Sequence, residues 1–387
     1  MLKLWRGAYL RSEALKVKTD IVIVGAGFAG ASTAYHLSQS FSGSILLIDK
    51  EEVPGFHASG RNAALVLQST QNPEVRGAMA TSTEAYPRHC EKVGFQQCGS
   101  LLLGKKEQLE KVREPELIVS EYRDPEEVRR QIPLLKGHVF EAALWTPSDG
   151  WMDISALLHF YLEGARSRGV ELWLNCQLLE VAGNGPYHLK TSHGMIEANS
   201  LVNAGGAWAS EVARLAGASE LPLSPLKRHL FVLDEIQNVN PSWPFVWDMD
   251  QNFYFRPESG GLLFSICDEE KTKSLKPTVS PDISQALAEV VWLELPALRE
   301  ATQRDIWSCF RTKTPDDSFV IGWDFTAENF FWVAGLGGHG MGASWEIGRL
   351  AAERILDADR KEQAPFDPAR FAKLESWKVK GFEGWKV

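Results

Sequence analysis

The sequence predicts an α/β fold in two parts, one built on a parallel sheet and the other on a largely antiparallel sheet. Three observations predict it. Near the N-terminus a β-branched run, Asp20 to Val24, gives way to Gly25-Ala26-Gly27-Phe28-Ala29-Gly30 and then to Ala31, Ala34, Tyr35 and Leu37, so the hydrophobic period changes from strand to helix across one turn. Near the C-terminus the succession recurs as Asn329 to Ala334, a glycine turn from Gly335 to Gly340, and a helix from Met341 to Leu356. Between Ser224 and Arg311 the signal is instead a series of short runs, HLFVLDE, PFVWDMD, NFYFRPE and GLLFSICD, separated by Pro, Asn and Gly. Alternating apolar and polar positions with short connections are the pattern of antiparallel strands.

The first glycine turn has a defined use. Gly25 permits a tight turn, Gly27 lets a pyrophosphate approach the backbone, and Gly30 lets the helix pack on the strand with its N-terminus toward the phosphates. The next strand, Ser44 to Ile48, ends in Asp49, close to the position about 20 residues on at which an acid bonds a ribose hydroxyl. Strand, glycines, helix, strand and acid in this order point to a dinucleotide site, with a plain βαβ unit as the alternative.

Beyond Asp49, EEVPGFHASGRNAALV reads as a loop entering an apolar segment, and Pro73 to Val93 as a helix. Gly99 to Gly104 is a strand, and the charged stretch from Lys105 to Leu134 reads as surface helices, a block resembling an insertion. Asp153 caps a helix through about Arg168; Val170 to Val181 is strand material, Asn184-Gly185 a turn, and Tyr187 to Thr191 a second strand. Ser200 to Asn203 then leads into Ala204-Gly205-Gly206-Ala207-Trp208 and another helix. The expected organisation is an N-terminal extension (1–18), a discontinuous nucleotide-binding domain (19–95, 145–223 and 312–360), a substrate domain (96–144 and 224–311) and a tail (361–387).

The second glycine turn also fits GxGxxG, so a second site, for NAD(P), must be weighed. No strand ending in an acid follows it, which argues against that use. The better reading is a helix start aimed at the same cofactor, its partial positive charge stabilising a reduced flavin; a tightly packed βα turn is the plain alternative.

Composition narrows the partners. A chain of 387 residues suggests two domains or one elaborate one. A net charge of -9 disfavours phosphate backbones and sets nucleic acid aside. The cysteines, Cys90, Cys98, Cys176, Cys267 and Cys309, form no CxxC pair, so no metal site is expected and a reducing cytoplasm is the simplest setting. Charges interrupt every apolar run of the first residues, and no stretch reaches about 18 apolar residues, so neither a secretion signal nor an integral span is expected. Trp5, Tyr9 and Leu10 beside Lys3, Arg6 and Arg11 suit either a membrane surface or a packed arm, which leaves peripheral attachment at the inner face of the membrane open.

With GAGFAG, Asp49, the GFHASGRNAA loop, VNAGGAW and GLGGHGMG in this order, the chain resembles the D-amino-acid oxidase (DAO) family of FAD-dependent amine oxidoreductases, which includes the D-arginine dehydrogenase, glycine oxidase and sarcosine oxidase types. The resemblance runs from Thr19 to about Ile355. It implies a glutathione-reductase-like fold of DAO type, with a Rossmann-like FAD-binding domain. It further implies that Gly25, Gly27, Phe28, Ala29, Gly30, Asp49 and Lys50 hold the ADP half of FAD. His57, Ser59, Gly60, Arg61, Asn62 and Ala63 would lie by the pyrophosphate and flavin, and Leu178 at the adenine. Ala204, Gly205, Gly206 and Trp208 would follow the ribityl chain, with Gly337, Gly338, His339, Gly340 and Met341 at the flavin ring.

For substrate, the resemblance implies that Arg311 in CFRTKTPDD holds a carboxylate, for which a bidentate guanidinium is suited, and that Tyr254 in QNFYFRPE donates its hydroxyl to the same group. His57, His339 and Met341 complete the candidate catalytic set. Two departures bear on it. Gln96-Gln97-Cys98-Gly99-Ser100 carries no acid where D-arginine dehydrogenases meet a substrate guanidinium, which disfavours a strongly cationic substrate. Cys309 falls where monomeric sarcosine oxidases bond their flavin, although relatives with an arginine like Arg311 mostly lack that cysteine, so non-covalent FAD is expected. The implied reaction is oxidation of the C–N bond of a small amino acid or related amine, by hydride transfer to flavin N5, with oxygen, a quinone or another protein as electron acceptor. Oxidation of a 2-hydroxy acid or polyol phosphate, and a non-catalytic flavoprotein docking through Trp5, Trp377 or Trp385, are the alternatives.

Overall fold

Parallel pairing of four strands sets the frame. Lys16–Val24 pairs on one side with Gly194–Asn203 and on the other with Ile45–Ile48, and Gly194–Asn203 pairs in turn with Phe330–Ala334. The registers bring Val24, Asn203, Ile48 and Trp332 level. The residues that follow these strands, Gly25, Ala204, Asp49 and Gly335, therefore leave the sheet along one edge, where ligands of open α/β sheets bind. Glu171–Trp173 extends the sheet beyond Ile45–Ile48, Val320–Trp323 closes the far side antiparallel to Phe330–Ala334, and a meander of Leu178–Ala182 and Tyr187–Thr191 folds onto Gly194–Asn203.

Apolar residues on both faces of these strands explain why both are covered. One face receives the helices Phe28–Leu37, Pro73–His89, Ile154–Arg166 and Ser344–Leu356. The first and last of these cross so closely that a Cβ at Gly348 would lie 2.5 Å from the Ser32 backbone, which draws the two glycine corners together.

The second sheet runs Glu270–Lys271, Ser224–Leu233, Gly261–Ser265, Phe253–Glu258, Phe245–Asp248, Ser100–Gly104, Ala142–Thr146 and Glu121–Arg123, with Gln303–Lys313 also on Ser224–Leu233. Period-two alternation sorts its side chains. Phe231, Leu233, Phe253 and Phe255 go to the face covered by the helix Ile283–Glu294, whereas Leu230, Val232 and Tyr254 go to the other. That other face looks toward the edge where the glycine corners emerge.

The computed structural model describes residues 16–90, 93–272, 274–357 and 365–372. Trp5, Tyr9, Leu10 and the cations beside them, and Trp377 and Trp385, lie outside the described residues. Among the described residues no helix is long and apolar enough to cross a membrane.

Several elements differ from the sequence expectation. The Lys105 to Leu134 block holds the helices Lys106–Val112 and Pro125–Gln131, but Glu121–Arg123 between them is a strand, drawn out by pairing with Ala142–Thr146. Val170 to Val181 divides into Glu171–Trp173 and Leu178–Ala182, which serve different parts of the first sheet. The region from Ser224 to Arg311 also contains the helix Ile283–Glu294, and its sheet includes one parallel pair, Phe245–Asp248 with Ser100–Gly104. The C-terminal helix begins at Ser344 rather than Met341, after a single turn closed by the Ala343 amide on the His339 carbonyl.

Candidate active site

Between the strand ends and the second sheet lies a cavity of about 860 Å³, toward the upper end of the roughly 300–1,000 Å³ usual for ligand sites. Both glycine corners line it. At the first, Gly25 has φ of +107°, and a Cβ there would stand 2.4 Å from the Ala204 carbonyl oxygen, so no other residue fits this turn. Gly30 is buried behind it. The Phe28 amide donates to Ser59 Oγ at 3.0 Å, while the Gly27 and Ala29 amides meet no protein acceptor among the described residues.

Asp49, at the end of its strand, accepts the Ala26 amide at 2.7 Å and the Glu51 amide at 2.9 Å through different oxygens. Burial holds its carboxyl above the usual range, against the opposing pull of these two amides. Lys50 lies 3.4 Å from the centroid of the Trp208 ring. His57 sits against the same ring, at 4.3 Å between centroids, with Nε2 2.7 Å from Glu51 Oε1. The loop bearing His57 is pinned from the second sheet, where Arg256 Nε donates to the Ala63 carbonyl and Trp307 Nε1 to the Arg61 carbonyl. Asn62 ties the loop to itself through the Ser59 carbonyl and the Ala64 amide. Ala63, Leu178, Ala204, Gly205 and Gly206 also line the cavity.

At the second corner, Tyr86 Oη lies 2.9 Å from both the Met341 and Gly342 carbonyl oxygens, and with Tyr161 it engages Ser344 Oγ. These contacts anchor the carbonyls on the helix side. The Gly340, Met341 and Gly342 amides meet no protein acceptor among the described residues.

Opposite stands Arg311, on the long strand Gln303–Lys313. Its guanidinium packs on the backbone of Gly338: a Cβ at that glycine, whose φ is +99°, would lie 2.8 Å from Nε and 3.1 Å from Cζ. Nη2 is 3.5 Å from Tyr254 Oη, at the outer limit of a hydrogen bond. No carboxylate lies within ion-pair distance of Arg311 among the described residues. Burial pushes the Tyr254 phenol up, with Arg311 and Arg228 pulling the other way. Burial, helped by the cations of Arg311 and Lys313, depresses His339 to about 4, so its ring is neutral at physiological pH.

Arg311, Tyr254, His339, Met341, Gly337, Gly338 and Gly340 thus share one end of the cavity, and Gly27, Phe28, Ala29, Asp49, Lys50, Ser59 and Trp208 share the other. Two expectations change. His57 engages Glu51 and Trp208, beside Asp49 and Lys50, rather than joining Arg311 and Tyr254, because Glu51 takes its Nε2. Arg61 turns its guanidinium onto the Phe56 ring at 4.7 Å, and Gly60 is folded back onto the Gly55 carbonyl, so neither lines the cavity. Trp208 lines the cavity, with its ring between Lys50 and His57.

The sequence reading missed Arg228, Glu269 and Lys313. Arg228 is buried and pairs across strands with Cys309, which puts it on the same sheet face as Arg311. Its Nη2 donates to Glu269 Oε1 at 3.0 Å, Lys313 Nζ reaches the same oxygen at 2.8 Å, and Nη1 is buried without a partner. A Lys-Arg pair just ahead of the HLFVLDE run was the available signal, but only the pairing with Gln303–Lys313 aims Arg228 inward. Three cations against Glu269, with Asp317 3.6 Å from Lys313, leave this end of the cavity positive.

Residues 20–354 match the family of FAD dependent oxidoreductases. Mitochondrial dimethylglycine dehydrogenase of Rattus norvegicus is 26% identical over 394 residues, covering 92% of this chain and 45% of that protein; the chain thus spans about half the length of the curated relatives it matches. Among solved structures, L-proline dehydrogenase from P. horikoshii superposes with a TM-score of 0.82 at 24% identity, over 92% of this chain and 99% of the other. Glycine oxidase from Geobacillus kaustophilus superposes with a TM-score of 0.78 at 22% identity, over 92% and 98%.

Proposed function

We propose that this chain, which belongs to the family of FAD dependent oxidoreductases, oxidises the C–N bond of a small amino acid or related amine that carries a carboxylate. The observation that carries the reading is Arg311: a cation with no carboxylate within ion-pair distance among the described residues, held against the second glycine corner and facing a buried tyrosine hydroxyl. FAD fits the cavity by two features of the chain. The unpartnered amides of Gly27 and Ala29 with the Asp49 carboxylate suit a pyrophosphate and a ribose, and those of Gly340, Met341 and Gly342 suit the electron-rich edge of a reduced flavin. Lys50, Trp208 and Leu178 would flank the nucleotide end. When bound, FAD supplies the hydride acceptor.

The chain's own residues then have three tasks. Arg311, with Arg228 Nη1, binds the substrate carboxylate, and Tyr254 donates its hydroxyl to it; the 3.5 Å gap between guanidinium and phenol is one that a carboxylate oxygen accepting from both would close. Anchoring at that point orients the carbon bearing the amine, which is catalysis by positioning. His339, neutral because burial and two cations depress it to about 4, can accept a hydrogen bond there without adding charge. Cys309 lines the same wall, but burial pushes its thiol up, which favours an inert thiol and non-covalent FAD.

Anaerobic bleaching of the bound flavin tests the reading. Some amino acid or N-alkyl amino acid should bleach it, with 2-hydroxy acids and glycerol phosphate inactive; bleaching by hydroxy acids alone, or a protein that takes up no FAD, would overturn it.

A further inference from the structure

Resting on that amine-oxidising reading, we propose that the substrate bears an apolar side chain or an apolar substituent on nitrogen, received by a subsite of Leu65, Leu67, Leu102, Trp247 and Met249 next to Tyr254. The Trp247 and Tyr254 rings lie 5.4 Å apart. The two residues are directly paired across their strands, and Trp247 is level with Leu102 on its other side. Leu65 and Trp247 pack both with the cluster around Tyr254 and with the one that contains Leu67 and Leu102, and Met249 packs against the second. The wall is therefore continuous from the hydroxyl that meets the carboxylate to the thioether of Met249, and all five residues face the cavity.

Charge placement sharpens the inference. The acids on the cavity wall fall into two sets. Asp49, Glu51 and Glu211 stand around Lys50 at the first glycine corner, and Glu269 and Asp317 are engaged by Lys313, with Glu269 also meeting Arg228. The stretches Leu65 to Val75, Leu102 to Val112 and Trp247 to Asn252 contribute to the wall no acid and no cation. An ammonium, guanidinium or second carboxylate reaching this wall would lose its water without gaining a counter-charge. A methylene placed there gains about fourfold in binding. The subsite thus selects through apolar contact and through rejection of charge.

The test uses the FAD-loaded enzyme and anaerobic bleaching rates for both enantiomers of leucine, methionine, phenylalanine, lysine, arginine, aspartate and glutamate, with glycine and N-methylglycine. The apolar amino acids should exceed the charged ones by about 100-fold in kcat/KM, a gap of the size that unpaired buried polar groups impose. Two variants at the half-buried Met249 probe the wall itself: Met249→Glu should raise the lysine-to-leucine rate ratio at least about tenfold, and Met249→Lys should raise the glutamate-to-leucine ratio by a similar factor. The bound-flavin spectrum of each variant checks that it has folded. Charged amino acids reacting as fast as apolar ones, or ratios unmoved in both variants, would overturn the subsite while leaving amine oxidation standing. Bleaching by no amine at all would overturn amine oxidation and the subsite together.

Discussion

Arg311 and Tyr254 reach from different strands of the second sheet to within 3.5 Å of each other, Nη2 to Oη, with the guanidinium laid on the backbone of Gly338. The C-terminal corner of the first sheet thus braces a cation that belongs to the second. The second glycine corner and the proposed carboxylate anchor are one packed unit, and this coupling shapes the expected consequences of substitution.

Arg311→Met should lower kcat/KM by about 2–5 kcal/mol, roughly 30- to 5,000-fold, the range for truncating one partner of a desolvated charge pair. Tyr254→Phe removes one hydrogen bond to a charged group and should cost about 1.5–3 kcal/mol, roughly 10- to 150-fold. Both variants should keep their flavin, because neither residue belongs to the first glycine corner. Steady-state kinetics beside the visible flavin spectrum check the two statements at once.

Gly338→Ala should act through Arg311. The added Cβ would meet Nε, Cδ and Cζ at 2.8, 3.0 and 3.1 Å, at a backbone φ of +99°. Either the guanidinium moves or the turn opens, and both misplace the proposed carboxylate anchor. KM should rise more than tenfold while FAD remains bound; a variant with unchanged KM would show that the guanidinium can move without consequence.

Much of this arrangement is legible in the chain because it is local. The strand–glycine–helix succession at both corners, Asp49 at the end of the second strand, and Asp153 as a helix cap accepting the Ala156 amide each lie within one short window. Arg228 and Lys313 are not legible in that way. Their aim depends on the Ser224–Leu233 and Gln303–Lys313 pairing across about 80 residues of chain, which no local pattern specifies. The helix Ile283–Glu294 carries Leu287 and Val291 four residues apart, but it sits among β-branched and aromatic runs that favour strands. His57 illustrates a different limit: a histidine in a glycine-rich loop takes its role from whichever neighbour reaches its ring, and here Glu51 does.

Asp49→Ala should weaken FAD binding rather than turnover. Its carboxylate fastens the glycine turn through the Ala26 amide and its own loop through the Glu51 amide, and it faces the cavity with lone pairs to spare for a ribose. Losing buried hydrogen bonds of this kind costs about 1–3 kcal/mol, so the dissociation constant for FAD should rise roughly 5- to 150-fold, measured by fluorescence of released flavin. At saturating FAD, kcat should recover.

Two groups away from the cavity, the half-buried His36 and the buried Asp149, should shape stability against pH in opposite directions. Burial, with help from Arg349, His89 and Arg168 nearby, depresses His36 to about 4. The unfolded chain binds that proton from its ordinary value of 6.5 downward, so stability is lost as pH falls from 6.5 toward 4. Burial raises Asp149 from 3.8 to about 6, even though Ser100 and Gln68 donate to it. The fold holds that proton below about 6, so stability from this group is gained as pH falls through 6 toward 3.8 and lost as pH rises again. The two contributions overlap between pH 4 and 6 and oppose each other there. His36→Asn should therefore retain more of its thermal midpoint than the parent when pH is lowered through that window, and Asp149→Asn should retain less. Thermal melts across the window, read as slopes rather than absolute midpoints, separate these effects from any loss of packing, and equal slopes for all three proteins would contradict both assignments.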